Sequence, residues 1–457
     1  MPKILHLGNI ANNAYNNAKY LNQQGDFEHY ALNFDNPHVM ACPEWEEVDT
    51  FETISEFDPD WSRFNHTQAN WYEYLETSAI TAAGKTRPAI FTSITKQRRK
   101  LAYWLKDQGL KKTAHTVKLP VSLIGKLQVI AALPFYLVLH LLHMISLRLE
   151  KQNSGSKSDS SGYALISKKL KHKLSGYDLV QGYGVDIIIP YLLGLPYIAY
   201  EHGTLRDLPF DGSDRAALLC QAYKKAKFTI ITNPDVIKSA QKLGLENYIY
   251  IPHAVDCNRF KPSENSRLRE KLNLQEKLVV LAPARQNWDI KGNNKYIEAF
   301  AELLKHSSDC VLFICDWGQH RDLTKELVKR LGLTEYVHYY SPCPKLSSVH
   351  YYQLADIVVD QFEAGAFGGI TPEAMACEKP ILVYYEPSAH EWCFDNHPPV
   401  VSTSSADEIA SALIKLSNHP EQRTELGRLG RQWVLQEYSI TQLVERHNRV
   451  YHQTLTN

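Results

Sequence analysis

The stretch Asp360-Gln-Phe-Glu-Ala-Gly-Ala-Phe-Gly-Gly-Ile-Thr-Pro-Glu-Ala-Met-Ala-Cys-Glu-Lys-Pro380 is the most informative in the chain. An apolar run ending at Asp360 predicts a strand. The glycines at 365, 368 and 369 predict a turn that lets a ligand approach the backbone, and Thr371-Pro372 predicts the first turn of a helix. Strand, glycine turn and helix in that order aim free N–H groups and the positive helix end at an anion, which the diphosphate of a sugar nucleotide satisfies. Glu373 lies in the same first turn. A carboxylate beside a phosphate is repelled unless it serves a pair of hydroxyls, so binding a ribose diol is its natural role.

On both sides of this segment, short apolar runs alternate with amphipathic stretches, the pattern of β-α-β units around parallel sheets. Runs at 3–7, 179–181, 197–200 and 228–231 predict strands in the first half, and runs at 278–282, 310–314, 337–340, 357–360 and 381–385 predict them in the second. A length of 457 residues suits two α/β domains with a cleft between them. The expected boundaries are 1–255 and 262–434, with a hinge at Ile251-Pro-His-Ala-Val-Asp256 and Phe260-Lys-Pro262, and a terminal helix at 435–457 packing back on the first domain. The polar run Gln152-Asn-Ser-Gly-Ser-Lys-Ser-Asp-Ser-Ser-Gly162 predicts a flexible linker and marks an insertion of roughly 58–162 in the first domain.

These features resemble the family 4 (group 1) glycosyltransferases of GT-B fold, in which two Rossmann-like domains face each other across a cleft. Glu373-Ala-Met-Ala-Cys-Glu-Lys-Pro380 matches the second half of that family's donor signature. Eight residues before Glu373, where the family carries a Glu that contacts the donor sugar, this chain has Gly365; Glu363, Asp360 or the backbone of 365–367 is left to meet the sugar. Ala284-Arg285 and Lys291-Gly292 resemble the family's paired basic residues over the donor diphosphate. Two cations there would neutralise the departing diphosphate, and no Asp-x-Asp motif calls for a metal. Leu7-Gly8-Asn9-Ile10-Ala11-Asn12-Asn13-Ala14 resembles the first-strand loop, and Tyr200-Glu-His-Gly-Thr-Leu-Arg206 resembles the His-Gly-Thr motif that places His202 near the transferred sugar.

The resemblance implies a retaining transfer from a nucleoside-diphosphate sugar to a lipid-linked or growing saccharide acceptor, in cell-surface polysaccharide synthesis, with no cofactor and no metal. It implies a catalytic set of His202, Glu373, Arg285 and Lys291. The implied donor site comprises Gly8, Asn9, Glu363, Gly365, Phe367, Gly368, Gly369, Ile370, Thr371 and Glu373. A nucleotide-sugar epimerase of the same fold and a catalytically silent sugar-nucleotide-binding protein are the alternatives.

Composition sets the surroundings. Fifty basic side chains balance 50 acidic ones, which argues against a nucleic-acid binder, whose footprint is a net basic domain. The eight cysteines are scattered without a Cys-x-x-Cys pair, so neither a zinc ribbon nor a disulfide framework is indicated, and a reducing cytoplasm fits. The first residues lack the apolar core of a signal peptide. Residues 96–173, however, hold 16 Lys and Arg against Asp107, Glu150 and Asp159. They flank an apolar helix at 129–147 whose 19 residues approach the length of a bilayer span. A true span would put Gly8 and His202, parts of one domain, on opposite sides of the membrane. The expectation is a helical insertion docked peripherally or monotopically on the anionic inner face of the membrane, with a helix buried in protein as the alternative.

Overall fold

The computed structural model describes residues 1–75 and 157–456 apart from 9, 25, 35–37, 58 and 264–266. Asn9, the apolar run 129–147 and most of the expected insertion therefore lie outside the described residues. Among the described residues no helix is long and apolar enough to cross a membrane.

Two wholly parallel sheets organise the chain. The first contains β1 (Lys3–Leu7), β2 (Glu28–Phe34), β3 (Tyr72–Leu75), β4 (Leu179–Tyr183), β5 (Tyr197–Glu201), β6 (Thr229–Ile231) and β7 (Tyr248–Tyr250), in the order β3-β2-β1-β4-β5-β6-β7. The second contains β8 (Leu278–Ala282), β9 (Cys310–Cys315), β10 (Val337–Tyr340), β11 (Ile357–Val359), β12 (Ile381–Val383) and β13 (Val401–Ser402), in the order β10-β9-β8-β11-β12-β13. β4, β5 and β9 are buried along their whole length, because helices cover both faces of each sheet. In each sheet the chain starts in the middle, moves to one edge and then returns to build the other half. The reversal falls between β1 and β4 and between β8 and β11, and a crevice opens there beyond the carboxyl ends of the strands. The sequence-predicted site segments follow β1, β5, β8 and β11, so the topology brings them to those crevices.

The two sheets match the GT-B expectation, with differences in detail. β2, β3, β7 and β13 were not among the expected strands. β3 pairs with β2 from Ala31↔Tyr72 to Phe34↔Leu75, so the first domain's sheet continues to residue 75 and the inserted stretch begins later than 58. The Ser-rich run read as a flexible linker is also corrected. A helix, Lys157–Leu174, starts inside it, because Leu170 and Leu174 are buried against the first sheet's core and their packing outweighs the polar composition.

Two segments join the domains. The hinge strand meets the returning chain where the Val255 N–H donates to the Tyr438 carbonyl at 2.7 Å, and the hydroxyls of Tyr250 and Tyr438 lie 3.0 Å apart. The last helix, Ile440–Thr456, then buries Leu443, Val444, Val450 and Tyr451 against β1, β4 and β5 of the first domain. On the open side, the Trp392 indole donates to the Pro234 carbonyl at 3.2 Å. A loop from the first domain meets the second through Thr50, whose N–H donates to Ser347 Oγ at 2.7 Å, and through the Ser347 hydroxyl, which donates to Asp49 Oδ1 at 2.7 Å.

Candidate donor and acceptor site

On the second-domain wall, Asp360 follows β11 and is buried, with its Oδ2 accepting the Thr371 hydroxyl at 2.9 Å. Burial raises the Asp360 pKa against the opposing pull of the Lys291 ammonium. Asp360 thus braces the loop from inside. Glu363 pairs with Lys295 at 2.6 Å on the outer side. Of the two carboxylates that the sequence offered in place of the absent Glu, Asp360 keeps an Oδ1 without a hydrogen-bond partner among the described residues, and Glu363 is exposed and paired with Lys295. Gly365 adopts φ +62°, a conformation that favours glycine, and its carbonyl accepts the Glu386 N–H at 2.8 Å. A Cβ at 365 would approach the Glu386 Cβ to 3.0 Å, so Glu386, after β12, fills the place where a side chain at 365 would root.

Phe367 turns inward, stacking on His390 with centroids 5.6 Å apart and packing near Tyr385, Trp433 and Tyr438. Its ring anchors the loop and leaves only its backbone to a ligand. Gly368 has open space at its Cβ position, and the helix Ile370–Ala376 begins directly after Gly369. Glu373 is buried in that helix, with Oε1 held by the Lys345 ammonium and Oε2 accepting the Tyr352 hydroxyl at 2.8 Å. Lys345 also faces Glu46 of the first domain. Burial opposes its charge, but Glu373 and Glu46 together raise its pKa, so it stays an ammonium. Glu46 in turn is raised by desolvation, with Lys345 opposing and Glu373 adding to the rise.

Beyond β8, Arg285 is exposed and Lys291 is partly buried. The Lys291 ammonium donates to the neutral Gln361 amide. Neither side chain makes an ion pair among the described residues. Burial lowers the Lys291 pKa, which the nearby Asp360 counters and the Arg285 and Arg206 charges reinforce. Two cations that carboxylates leave unpaired at the mouth of a crevice form a site for an anion.

On the first-domain wall, the loop after β1 holds Gly8 at φ +122°, Ala11 at φ +46° and Asn12 at φ +56°. Positive φ at the two non-glycine residues Ala11 and Asn12 is costly and persists where the surroundings hold it, as functional loops often do. The carboxylate of Asp186 is the reason for Gly8, since a Cβ there would lie 2.5 Å from its Oδ2. Asp186 has no hydrogen-bond or ion-pair partner for its carboxylate among the described residues, and burial pushes its pKa up to about 7. No motif in the sequence singled it out; the Gly182-Tyr-Gly184 turn ahead of it was the one available signal.

His202 follows β5, where the buried Glu201 carboxylate accepts the Leu205 N–H at 2.9 Å and shapes the turn. Its Nδ1 lies 2.8 Å from His253 Nε2 and 3.4 Å from Thr232 Oγ1, while the Thr232 hydroxyl donates to the Glu201 carbonyl at 2.9 Å. With its proton on Nδ1, His202 would donate toward His253 and Thr232 and leave Nε2 as an acceptor; the opposite tautomer would accept from His253 instead. Desolvation, aided by the Arg206 charge, lowers the His202 pKa to about 4, so the ring is neutral near pH 7.

The structure thus gathers Gly8 and His202 on one wall, and Arg285, Lys291, Gly365, Gly368, Gly369, Ile370, Thr371 and Glu373 on the other. Glu363 lies beside Gly292, next to Lys291, and pairs with Lys295, while the ring of Phe367 turns into the aromatic cluster around His390. Sequence reasoning missed Asp186, Lys345, Tyr352, Glu46 and Glu386. Most come from loops and helices distant in sequence that only the fold brings to the cleft.

Comparison with known proteins agrees with this architecture. Residues 264–433 match the family model of the glycosyl transferases group 1. A D-inositol 3-phosphate glycosyltransferase of Catenulispora acidiphila is 24% identical over 231 residues, 45% of this chain and 55% of that protein. A GDP-mannose-dependent monoacylated alpha-(1-6)-phosphatidylinositol monomannoside mannosyltransferase of Corynebacterium glutamicum is 26% identical over 214 residues, 43% of this chain and 54% of its own length. The chain therefore spans about half the length of the curated relatives it matches. HepE of Anabaena, solved with UDP and glucose, superposes with a TM-score of 0.62 at 14% identity, covering 99% of this chain and 100% of its own. Residues 264–433 thus resemble the group 1 glycosyltransferases, and the two parallel sheets, with the likeness to HepE over nearly the whole chain, give the protein the GT-B fold.

Proposed function

We propose that the protein transfers a sugar, with retention at the anomeric carbon, from a nucleoside-diphosphate sugar to a lipid-linked or growing saccharide acceptor, as in cell-surface polysaccharide synthesis. The observation that carries this reading is the pair Arg285 and Lys291. Both stand at the carboxyl end of β8 without an ion-pair partner among the described residues, beside a glycine turn that opens a helix. Such a wall suits a diphosphate, and the two cations take the part that a metal ion plays elsewhere in neutralising a leaving diphosphate. No cofactor enters the reading.

Glu373 receives the ribose hydroxyls. Lys345 and Tyr352 already fix its carboxylate, so its orientation needs little reorganisation on binding. His202 presents Nε2 to an acceptor or sugar hydroxyl and orients it. The leaving phosphate takes the acceptor's proton, a role for which a ring with a pKa of about 4 is ill suited. Membrane attachment through the basic and apolar stretch 96–173 fits an acceptor held in a lipid leaflet.

Thermal unfolding in the presence of UDP-, GDP- and ADP-sugars is the first test, since a ligand that binds only the folded chain raises its midpoint. One class of donor stabilises the protein, and with that donor labelled sugar passes to membrane lipid or saccharide. His202→Ala keeps the unfolding midpoint and loses roughly a hundredfold or more in turnover. Release of a free epimer in place of a glycosylated product, or normal turnover by His202→Ala, would overturn the respective assignment.

A further inference from the structure

Arg206 ends the turn that carries His202, on the first-domain wall. Its guanidinium grips Asp235 with two bonds, Nε to Oδ2 at 2.6 Å and Nη2 to Oδ1 at 2.8 Å. The remaining nitrogen, Nη1, lies over Gly203, where a Cβ would come within 2.5 Å of it, and it has no partner among the described residues. Gly203 keeps φ +86°, and the absence of a side chain there leaves room for the arginine. Asp235 adjoins Pro234, whose carbonyl accepts the Trp392 indole of the second domain, so this anchor sits where the two walls touch. From there the Arg206 charge acts on His202 beside it and on Lys291 across the cleft. Three cations thus converge from two domains; Asp235 pairs with Arg206 and the buried Asp360 partly offsets Lys291, yet Arg285 and Arg206 still act against the Lys291 charge. An anion carrying more than one charge relieves that repulsion.

We propose that Arg206 is a third binding residue for the donor's diphosphate, reaching it from the wall opposite Arg285 and Lys291 through the edge of the guanidinium that Asp235 leaves free. This rests on the donor reading of the cleft and names the residue through which the first domain senses the phosphates. A guanidinium suits the task because its planar fork holds a carboxylate on one edge and still offers N–H donors on another, which an ammonium cannot do. Because the cation and the other two belong to different domains, a nucleoside diphosphate draws the walls together, whereas a nucleoside lacking phosphate does not engage the latch.

The test is calorimetric binding of UDP, GDP, uridine and guanosine to the full chain and its variants. Arg206→Gln weakens the better-bound diphosphate about tenfold or more and makes its affinity less sensitive to salt, while nucleoside binding is unchanged. Arg206→Lys recovers only part of the loss. The Arg206–Asp235 pair is partly exposed, so its loss leaves the unfolding midpoint nearly constant, and thermal unfolding of each variant verifies this. Wild-type affinity and salt dependence in Arg206→Gln, alongside lost binding in Lys291→Gln, would remove Arg206 from the site and leave the donor reading standing. Failure of the unmutated chain to bind either diphosphate would sink the donor reading itself, and this inference with it.

Discussion

Asp186 shows how far the fold can displace an ordinary side chain. Its carboxylate is pressed over Gly8 without a partner among the described residues, and burial lifts its pKa from 3.8 to about 7. A raised acid pKa means that the folded state disfavours the charged form. The penalty is absent below the unfolded value of 3.8, grows as pH rises and is complete above 7. Asp186→Asn removes it. In urea unfolding the variant should match the parent at pH 4 and exceed it at pH 8 by up to about 4 kcal/mol, since each tenfold change in proton affinity is worth about 1.4 kcal/mol. Equal stability at pH 8 would show that the carboxylate is satisfied there. Arg285, Lys291, Glu373 and His202 could be selected from the sequence because each sits in a stretch that resembles a family motif. Asp186 could not, because its environment is made by a glycine from the other end of the domain.

Helix contacts explain much of what local sequence could and could not reveal. The strands found from sequence alone, such as β8 and β9, are continuous apolar runs buried on both faces. β2 escaped notice because its His29 and Asn33 are buried, 1% and 0% exposed, inside polar contacts that mimic a solvent-facing pattern. β13 has two residues, too few for any periodicity, and β7 is only part-buried at two of its three positions. The helix Pro420–Glu437 contains Gly427 and Gly430, which in a sequence read as helix-weakening residues. In the structure they form the contact face with the helix carrying Glu373. A Cβ on Gly427 would stand 2.0 Å from the Glu378 carbonyl oxygen, and one on Gly430 would stand 3.0 Å from Met375 Cγ. Backbone cannot yield as a flexible side-chain end can. Gly427→Ala should therefore destabilise the second domain by about 1–3 kcal/mol, despite the better helix propensity of alanine. It should also weaken nucleotide binding, because the displaced helix holds Glu373. An alanine variant as stable as the parent would mean that the two helices separate without cost.

The last helix fastens the whole molecule, crossing from the second domain to close the back of the first. It delivers Tyr451 and His447 to a buried network whose proton pattern is determined. The amides of Asn17 and Gln181 donate to Tyr183 Oη at 2.9 and 2.7 Å, so the Tyr183 hydroxyl gives its own proton to His6 Nδ1 at 2.7 Å. His6 Nε2–H then donates to His29 Nδ1 at 3.0 Å, and the Tyr451 hydroxyl donates to Gln181 Oε1 at 2.8 Å. Every histidine in the network must be neutral for this pattern to exist. Desolvation, with the His447 charge adding to it, lowers the His29 pKa to about 3; burial lowers His447 to about 4, with the Leu443 carbonyl opposing. A depressed histidine pKa means that the unfolded chain binds protons first. The stabilising preference for the neutral ring is complete above the unfolded value of 6.5 and is lost as pH falls toward the folded value. By pH 4 the loss is about 3 kcal/mol for each of these two rings, comparable with much of a domain's stability. Asp186 acts in the opposite direction, so the parent's pH profile alone does not separate them. His447→Leu does. Its stability should stay close to the parent's at pH 7.5 and surpass it increasingly between pH 6 and 4, with amide exchange in 440–456 slowing relative to the parent over the same interval. If the parent and His447→Leu lose stability in parallel across that interval, the closing helix is held by its apolar face alone and the buried histidines do not set its response to acid.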